Sequence, residues 1–301
     1  MTTSQVLSHL SVPTSPVDVV LDTDAYNEID DQFAIAYLLA TKHKTEAIYA
    51  APFHNRKSTS AADGMEKSYR EILHLLGLCN KEVPVYRGST TYLPNETTPV
   101  LSDAAKDLCA RAMAHTPEHP LYVIAIGAIT NVASAILLEP AICDRIVVVW
   151  LGGHARHFHD TREFNMMQDI AAARVVMGAP IPFVQLPCLG VVSSFTLSGA
   201  ELAFWFKGKN KICDYLAENT TREAESYAKG MPWTRVIWDV TAVAWLENHD
   251  SRLMLSRKEP VFLPSYDNKY CLAPNASVME YVYHINRDVL LRDLLEKLNR
   301  L

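Results

Sequence analysis

The chain lacks a long basic block. Its 28 Lys and Arg against 34 Asp and Glu leave a net charge of −6, without the positive face that grips a phosphate backbone, so nucleic acid is not expected as a partner. It also lacks C-x-x-C spacing. Cys79, Cys109, Cys143, Cys188, Cys213 and Cys271 are scattered, which argues against a disulfide framework or zinc cluster and for buried thiols of a reducing compartment, here the cytoplasm. The N-terminus has neither a positive n-region nor a continuous apolar run, so residues 1–16 are expected to be a loose leader and not a secretion signal. The most apolar segment, Leu121 to Gly152, is broken by Thr130, Asn131, Glu139, Pro140, Asp144 and Arg145, and no stretch is fit to cross a bilayer. No Gly/Ser/Pro-rich linker and no repeat divides the 301 residues, which are read as one domain.

What is present is an alternation of short apolar runs with segments of helical period. VDVVLD precedes DDQFAIAYLLATK, EAIYAAPF precedes AADGMEKSYREILHLLG, LYVIAIG precedes TNVASAILLEP, and RIVVVWLGG precedes QDIAAARVVMGA and PIPFVQLP. Continuous apolar runs are strands buried on both faces, and helices between them are crossovers. The expected class is α/β, an open, mostly parallel sheet with helices on both faces. A helical C-terminal third is read in FTLSGAELAFWF, KICDYLAENTTREAESYA and VIWDVTAVAWLEN, followed by strand-like VMEYVYHI and a last helix, RDVLLRDLLEKL.

Ligands of open parallel sheets collect beyond the carboxyl ends of the strands. The first strand there runs into VVLDTDAYNEIDDQFA (residues 19–34), with Asp22, Asp24, Asp30 and Asp31 in ten residues. Singly, each aspartate is a turn or a helix N-cap. Together, backed by apolar sequence, they would repel one another unless a cation neutralised them, and hard oxygen donors suit Ca²⁺ or Mg²⁺. The Glu163-Phe164-Asn165 stretch offers a pair able to accept and donate hydrogen bonds to sugar hydroxyls. Asp239 is locally an N-cap and Trp238 a core residue, or else a remote ligand beside a ring that can face a planar base.

Four ordered motifs, VVLDTD…DDQFAIA, AIGAITNVA, LGG…EFN…DIAAA and WDVTAVA, resemble the nucleoside hydrolases, the inosine/uridine-preferring and purine-specific N-ribohydrolases. The resemblance implies that Asp24, Asp31 and Asp239 bind Ca²⁺ by side chain and Thr130 by its backbone carbonyl, with Asp30 hydrogen-bonding nearby to the site or the sugar. The ion would hold the ribose 2′- and 3′-hydroxyls and a water, and Asp24 would take the water's proton. Asn55 would contact the sugar or that water, and Glu163 and Asn165 the ribose. A homo-oligomer, dimer or tetramer, is expected.

The sequence departs from the family pattern in three places. Five residues, Ala25 to Ile29, separate the second and third aspartates where three are usual, which puts Asn27 or Glu28 in a position to intrude on the metal loop. His157 stands six before Glu163, where many relatives carry an Asn that recognises the 5′-hydroxyl. Trp238 precedes the last metal aspartate, as in purine-specific members, and points to stacking on a purine leaving group. Two alternatives remain: a haloacid-dehalogenase-like phosphatase, from the D-x-D after a strand with Lys209 or Lys211 on phosphate, and a non-catalytic nucleoside- or ribose-binding protein of the same fold.

Overall fold

The computed structural model describes residues 1–272 and 277–301. In chain order the strands are β1 (Asp18–Thr23), β2 (Lys44–Ala50), β3 (Val85–Arg87), β4 (Leu121–Ala125), β5 (Ile146–Leu151), β6 (Phe183–Leu186), β7 (Thr196–Ser198), β8 (Thr234–Val236), β9 (Met254–Pro260), β10 (Phe262–Pro264), β11 (Tyr270–Leu272) and β12 (Val278–Ile285). The helices are α1 (Thr3–His9), α2 (Asp31–Leu39), α3 (Ala61–Leu78), α4 (Asp103–Ala114), α5 (Thr130–Leu138), α6 (Phe164–Gln168), α7 (Ile170–Gly178), α8 (Gly199–Glu201), α9 (Lys211–Ala228), α10 (Val240–Trp245) and α11 (Arg287–Leu298).

Eight strands form one sheet in the order β3-β2-β1-β4-β5-β6-β12-β9. Neighbours pair in parallel except at the edge, where β9 runs antiparallel to β12. Successive strand residues point to opposite faces. Val19 and Leu21 therefore enter one buried cluster and Val20 the other, and Ile48 and Ala50 separate from Ala47 and Tyr49 in the same way. Residues of α2, α3, α9, α10 and α11 pack on the first face, and those of α4, α5 and α7 on the second. This is why the strands read as unbroken apolar runs. Helix α2 is buried from Asp31 to Leu38, which explains an apolar sequence with no clear polar stripe.

The chain builds β1, β2 and β3 outward in one direction and then returns to place β4 on the other side of β1. The β1/β4 boundary is thus the point where strand order reverses, and the carboxyl ends there open a crevice. The aspartate-rich loop leaves β1 at that boundary.

Several expectations are corrected. Residues 1–16 are not loose throughout: Thr2 and Gln5 form a reciprocal capping box at the start of α1, Leu10 is fully buried, and His9 Nε2 lies 2.8 Å from the Pro117 carbonyl. FTLSGAELAFWF opens with strand β7, paired to β8, and only then turns helical. The helix read from Val236 begins at Val240. VMEYVYHI is strand β12 as read, and the last third adds to the central sheet a second strand, β9, that was not read.

Candidate active site

Asp22, Thr23 and Asp24 sit at the carboxyl end of β1, all buried. Asp22 accepts a hydrogen bond from Asn131 Nδ2 at 2.7 Å, which ties the first strand to α5. Burial pushes the Asp22 carboxyl up to about 7 against the lowering effect of that bond. Gly127, just past β4, allows the close approach of Asp24: a Cβ there would lie 3.1 Å from Asp24 Oδ1 and 3.1 Å from the Ala51 methyl.

Asp30 and Asp239 precede α2 and α10 at the N-cap position, yet neither side chain caps its helix. Their carboxylates turn toward each other instead. One oxygen from each of Asp30, Asp31 and Asp239 falls within 4.8 Å of the others, and all three residues are buried. Burial raises Asp31 to about 6, offset by hydrogen bonds from Thr23 and Asp239. Asp24, Asp30 and Asp239 are raised well above the usual carboxylate range, first by burial and then by neighbouring negative charge, that of Asp31 foremost for Asp24 and Asp30 and that of Asp30 for Asp239. Asp24 Oδ2 is buried and has no hydrogen-bond partner. A buried carboxylate oxygen with no donor, in a cavity shared with three more carboxylates, is a costly arrangement that a divalent cation relieves, and an all-oxygen donor set suits a hard ion. The residues fit a metal.

These carboxylates line one end of a cavity of about 320 Å³, whose wall also includes Asn27, Glu28, Glu163, Asn165 and Trp238. Glu163 accepts three backbone N–H bonds, from Gly153 and Met166 at 2.9 Å and Asn165 at 2.8 Å. Gly153 can present that N–H because it adopts φ +77°, where a Cβ would meet Tyr270 Oη at 2.1 Å. A carboxylate has about four acceptor sites, and the fourth on Glu163 is taken only by the Cys188 thiol, a weak donor that a hydroxyl can displace. Asn165 Nδ2 donates to the carbonyls of Ile126 at 3.1 Å and Leu151 at 3.0 Å, which spends both its donors and leaves Oδ1 as an acceptor. The two residues are therefore a pair of acceptors on the start of α6. They are not the accept-and-donate pair on an extended segment that the sequence suggested.

Trp238 lines the cavity and packs on the core at once, so the two sequence readings of it are not exclusive. Thr130 begins α5 and gives its hydroxyl to Asp169 at 2.7 Å; its side chain does not reach the cavity. Asn55 stands one residue behind the wall, donating to Asn27 Oδ1 at 2.6 Å. His157 is displaced from the cavity onto Phe158, with ring centroids 4.9 Å apart, and His154 lines the wall instead. Sequence reasoning also missed Ile126, Leu151, Arg162, Phe164, Cys188 and Leu189 as wall residues. Only the Gly-Gly-His loop after β5 signalled that His154 lay near. Neither Lys209 nor Lys211 lines the cavity, and no other lysine does among the described residues, so the phosphatase alternative loses its phosphate-binding lysine.

Residues 19–264 match the family described as inosine-uridine preferring nucleoside hydrolase. The chain belongs to this family. Its members are ribonucleoside N-glycosidases, and this chain is one by that membership. It is 25% identical over 261 residues to the non-specific ribonucleoside hydrolase RihC of Salmonella typhi, covering 77% of this chain and 79% of the relative. The purine-preferring ribonucleoside hydrolase from Gardnerella vaginalis has a similar fold, with TM-score 0.75 at 18% identity over 94% of this chain and 98% of that one. A plant nucleoside hydrolase superposes with TM-score 0.74 at 17% identity over 95% of this chain and 99% of that one. Among the described residues no helix is long and apolar enough to cross a membrane.

Proposed function

We propose that this hydrolase acts on purine ribonucleosides and that its cation is Ca²⁺, held by the carboxylates of Asp24, Asp31 and Asp239 with the Thr130 backbone carbonyl. The observation that carries the reading is the buried, unpartnered Asp24 Oδ2 in the same cavity as the Asp30, Asp31 and Asp239 cluster. When bound, the cation supplies positive charge that neutralises the cluster and makes a nearby water more acidic. Asp24 accepts a proton from that water.

Asp30, Glu163 and Asn165 hold the ribose. With one acceptor site on Glu163 held only by the weak Cys188 thiol donor and Oδ1 free on Asn165, both accept from sugar hydroxyls, which fixes ribose by its donors. As the N-glycosidic bond breaks, positive charge grows on the ribosyl ring beside a wall of buried carboxylates, where it is stabilised most in the transition state. Trp238, with Phe164 and Leu189, gives the cavity a flat apolar share fit for a base, and stacking by Trp238 favours purines. Six unpaired cysteines suit a cytoplasmic enzyme.

The test is incubation with a panel of purine and pyrimidine ribonucleosides, with added Ca²⁺ and with chelator, reading free ribose and base. Ribose released from purine nucleosides and lost on chelation supports the reading. Nucleoside binding without ribose release would leave only a binding protein.

A further inference from the structure

The aspartate loop is two residues longer than usual for the family, and the extra length is built into the wall. Asn27 N–H closes a turn on the Asp24 carbonyl at 2.7 Å. Gln32 Nε2 donates to the Ala25 carbonyl at 2.9 Å, and Tyr26 N–H to Ser68 Oγ at 3.3 Å. Beyond the tip, Glu28 pairs with Arg235 at 2.7 Å. The loop is thus fastened on both sides of Asn27, which is 8% exposed and lines the cavity.

Asn55 lies directly behind it, and the orientation of both amides follows from the hydrogen bonds. Lys57 N–H donates to Asn55 Oδ1 at 2.8 Å, so the Asn55 atom facing Asn27 is the Nδ2 donor. The Asn27 atom that receives it at 2.6 Å is therefore Oδ1. Asn27 lines the cavity, and its Nδ2 is left with no protein acceptor among the described residues.

We infer that Asn27, and not Asn55, touches the bound nucleoside in this chain, donating from Nδ2 to a ribose or water oxygen, while Asn55 is a positioning residue that acts through it. The longer loop has moved the contact one residue inward. This rests on the ribonucleoside reading above. It also divides the labour of the site: Glu163 and Asn165 accept from the sugar, and Asn27 supplies the neutral donor that neither can give.

The experiment compares the Ca²⁺-loaded wild type with Asn27→Ala, Asn27→Asp, Asn55→Ala and the Asn27→Ala/Asn55→Ala double variant. The readouts are kcat and KM on inosine and the shift of melting temperature by D-ribose. Asn27→Asp keeps the shape and the acceptor toward Asn55 but removes the donor. It should lose roughly tenfold or more in kcat/KM and most of the ribose shift, as should Asn27→Ala, since a buried polar contact left without one partner is costly. The double variant should be no worse than Asn27→Ala, because Asn55 acts through Asn27. If Asn27→Ala does not fold, Asn27→Asp carries the same expectation. Asn27 variants within about twofold of wild type, or a double variant whose loss is the sum of the single losses, overturn the inference alone. A wild type that neither releases ribose from inosine nor is shifted by D-ribose overturns the ribonucleoside reading and this inference together.

Discussion

Thr23 Oγ1 donates to Asp31 Oδ1 at 2.5 Å, joining the last residue of β1 to the first of α2. The bond fixes one oxygen of Asp31 and lowers a carboxyl that burial otherwise raises. It prepares Asp31 as an anion before any cation arrives. Thr23→Val keeps the shape and removes the donor. A hydrogen bond to a charged group contributes about 1.5–3 kcal/mol, so divalent-cation affinity is expected to fall by roughly tenfold or more. Titration calorimetry checks this, and an unchanged affinity would mean that Asp31 needs no preparation.

The cluster also sets a pH dependence. Asp31 is raised from 3.8 to about 6 in the folded chain without a cation. A raised folded pKa contributes stability that is fully present below the unfolded value and lost as pH rises through the folded one. The cation-free protein should therefore lose stability from Asp31 between about pH 4 and pH 6, a loss that the cation-loaded protein should not show. The gain in melting temperature on adding Ca²⁺ is expected to be larger at pH 8 than at pH 5. Equal gains at both would show that the carboxylates do not bear the ion.

The parallel sheet was legible because β4 and β5 are buried throughout and β1 over Val19–Leu21, which makes each an unbroken apolar run. β3 was not, being three residues long, and neither was β9, whose MLSRKEP sequence is polar because it forms the antiparallel edge. The aspartates were legible as a cluster, since unneutralised charge beside apolar sequence is costly. Their individual directions were not. Asp30 and Asp239 hold N-cap positions without capping, and only the three-dimensional convergence of α2 and α10 turns them inward. His154 replacing His157, and Asn27 standing before Asn55, depend on loop paths that no periodicity encodes.

Trp238→Ala separates stacking from packing. If Trp238 assists departure of the base, the variant should lose turnover on purine nucleosides much more than on p-nitrophenyl riboside, whose leaving group needs no help. If the ring only fills the core, truncation costs about 3–5 kcal/mol of stability and depresses both substrates alike. Equal losses with a lowered melting temperature would remove the support for purine preference.

The most direct measurement is Asp24→Ala, assayed for ribose release and for divalent-cation binding on the same preparation. One buried carboxylate, with Oδ2 unpartnered in the structure, is assigned both to the cation and to the attacking water's proton. Turnover should be abolished and cation affinity weakened together. A variant that keeps most of its ribose release would contradict the account.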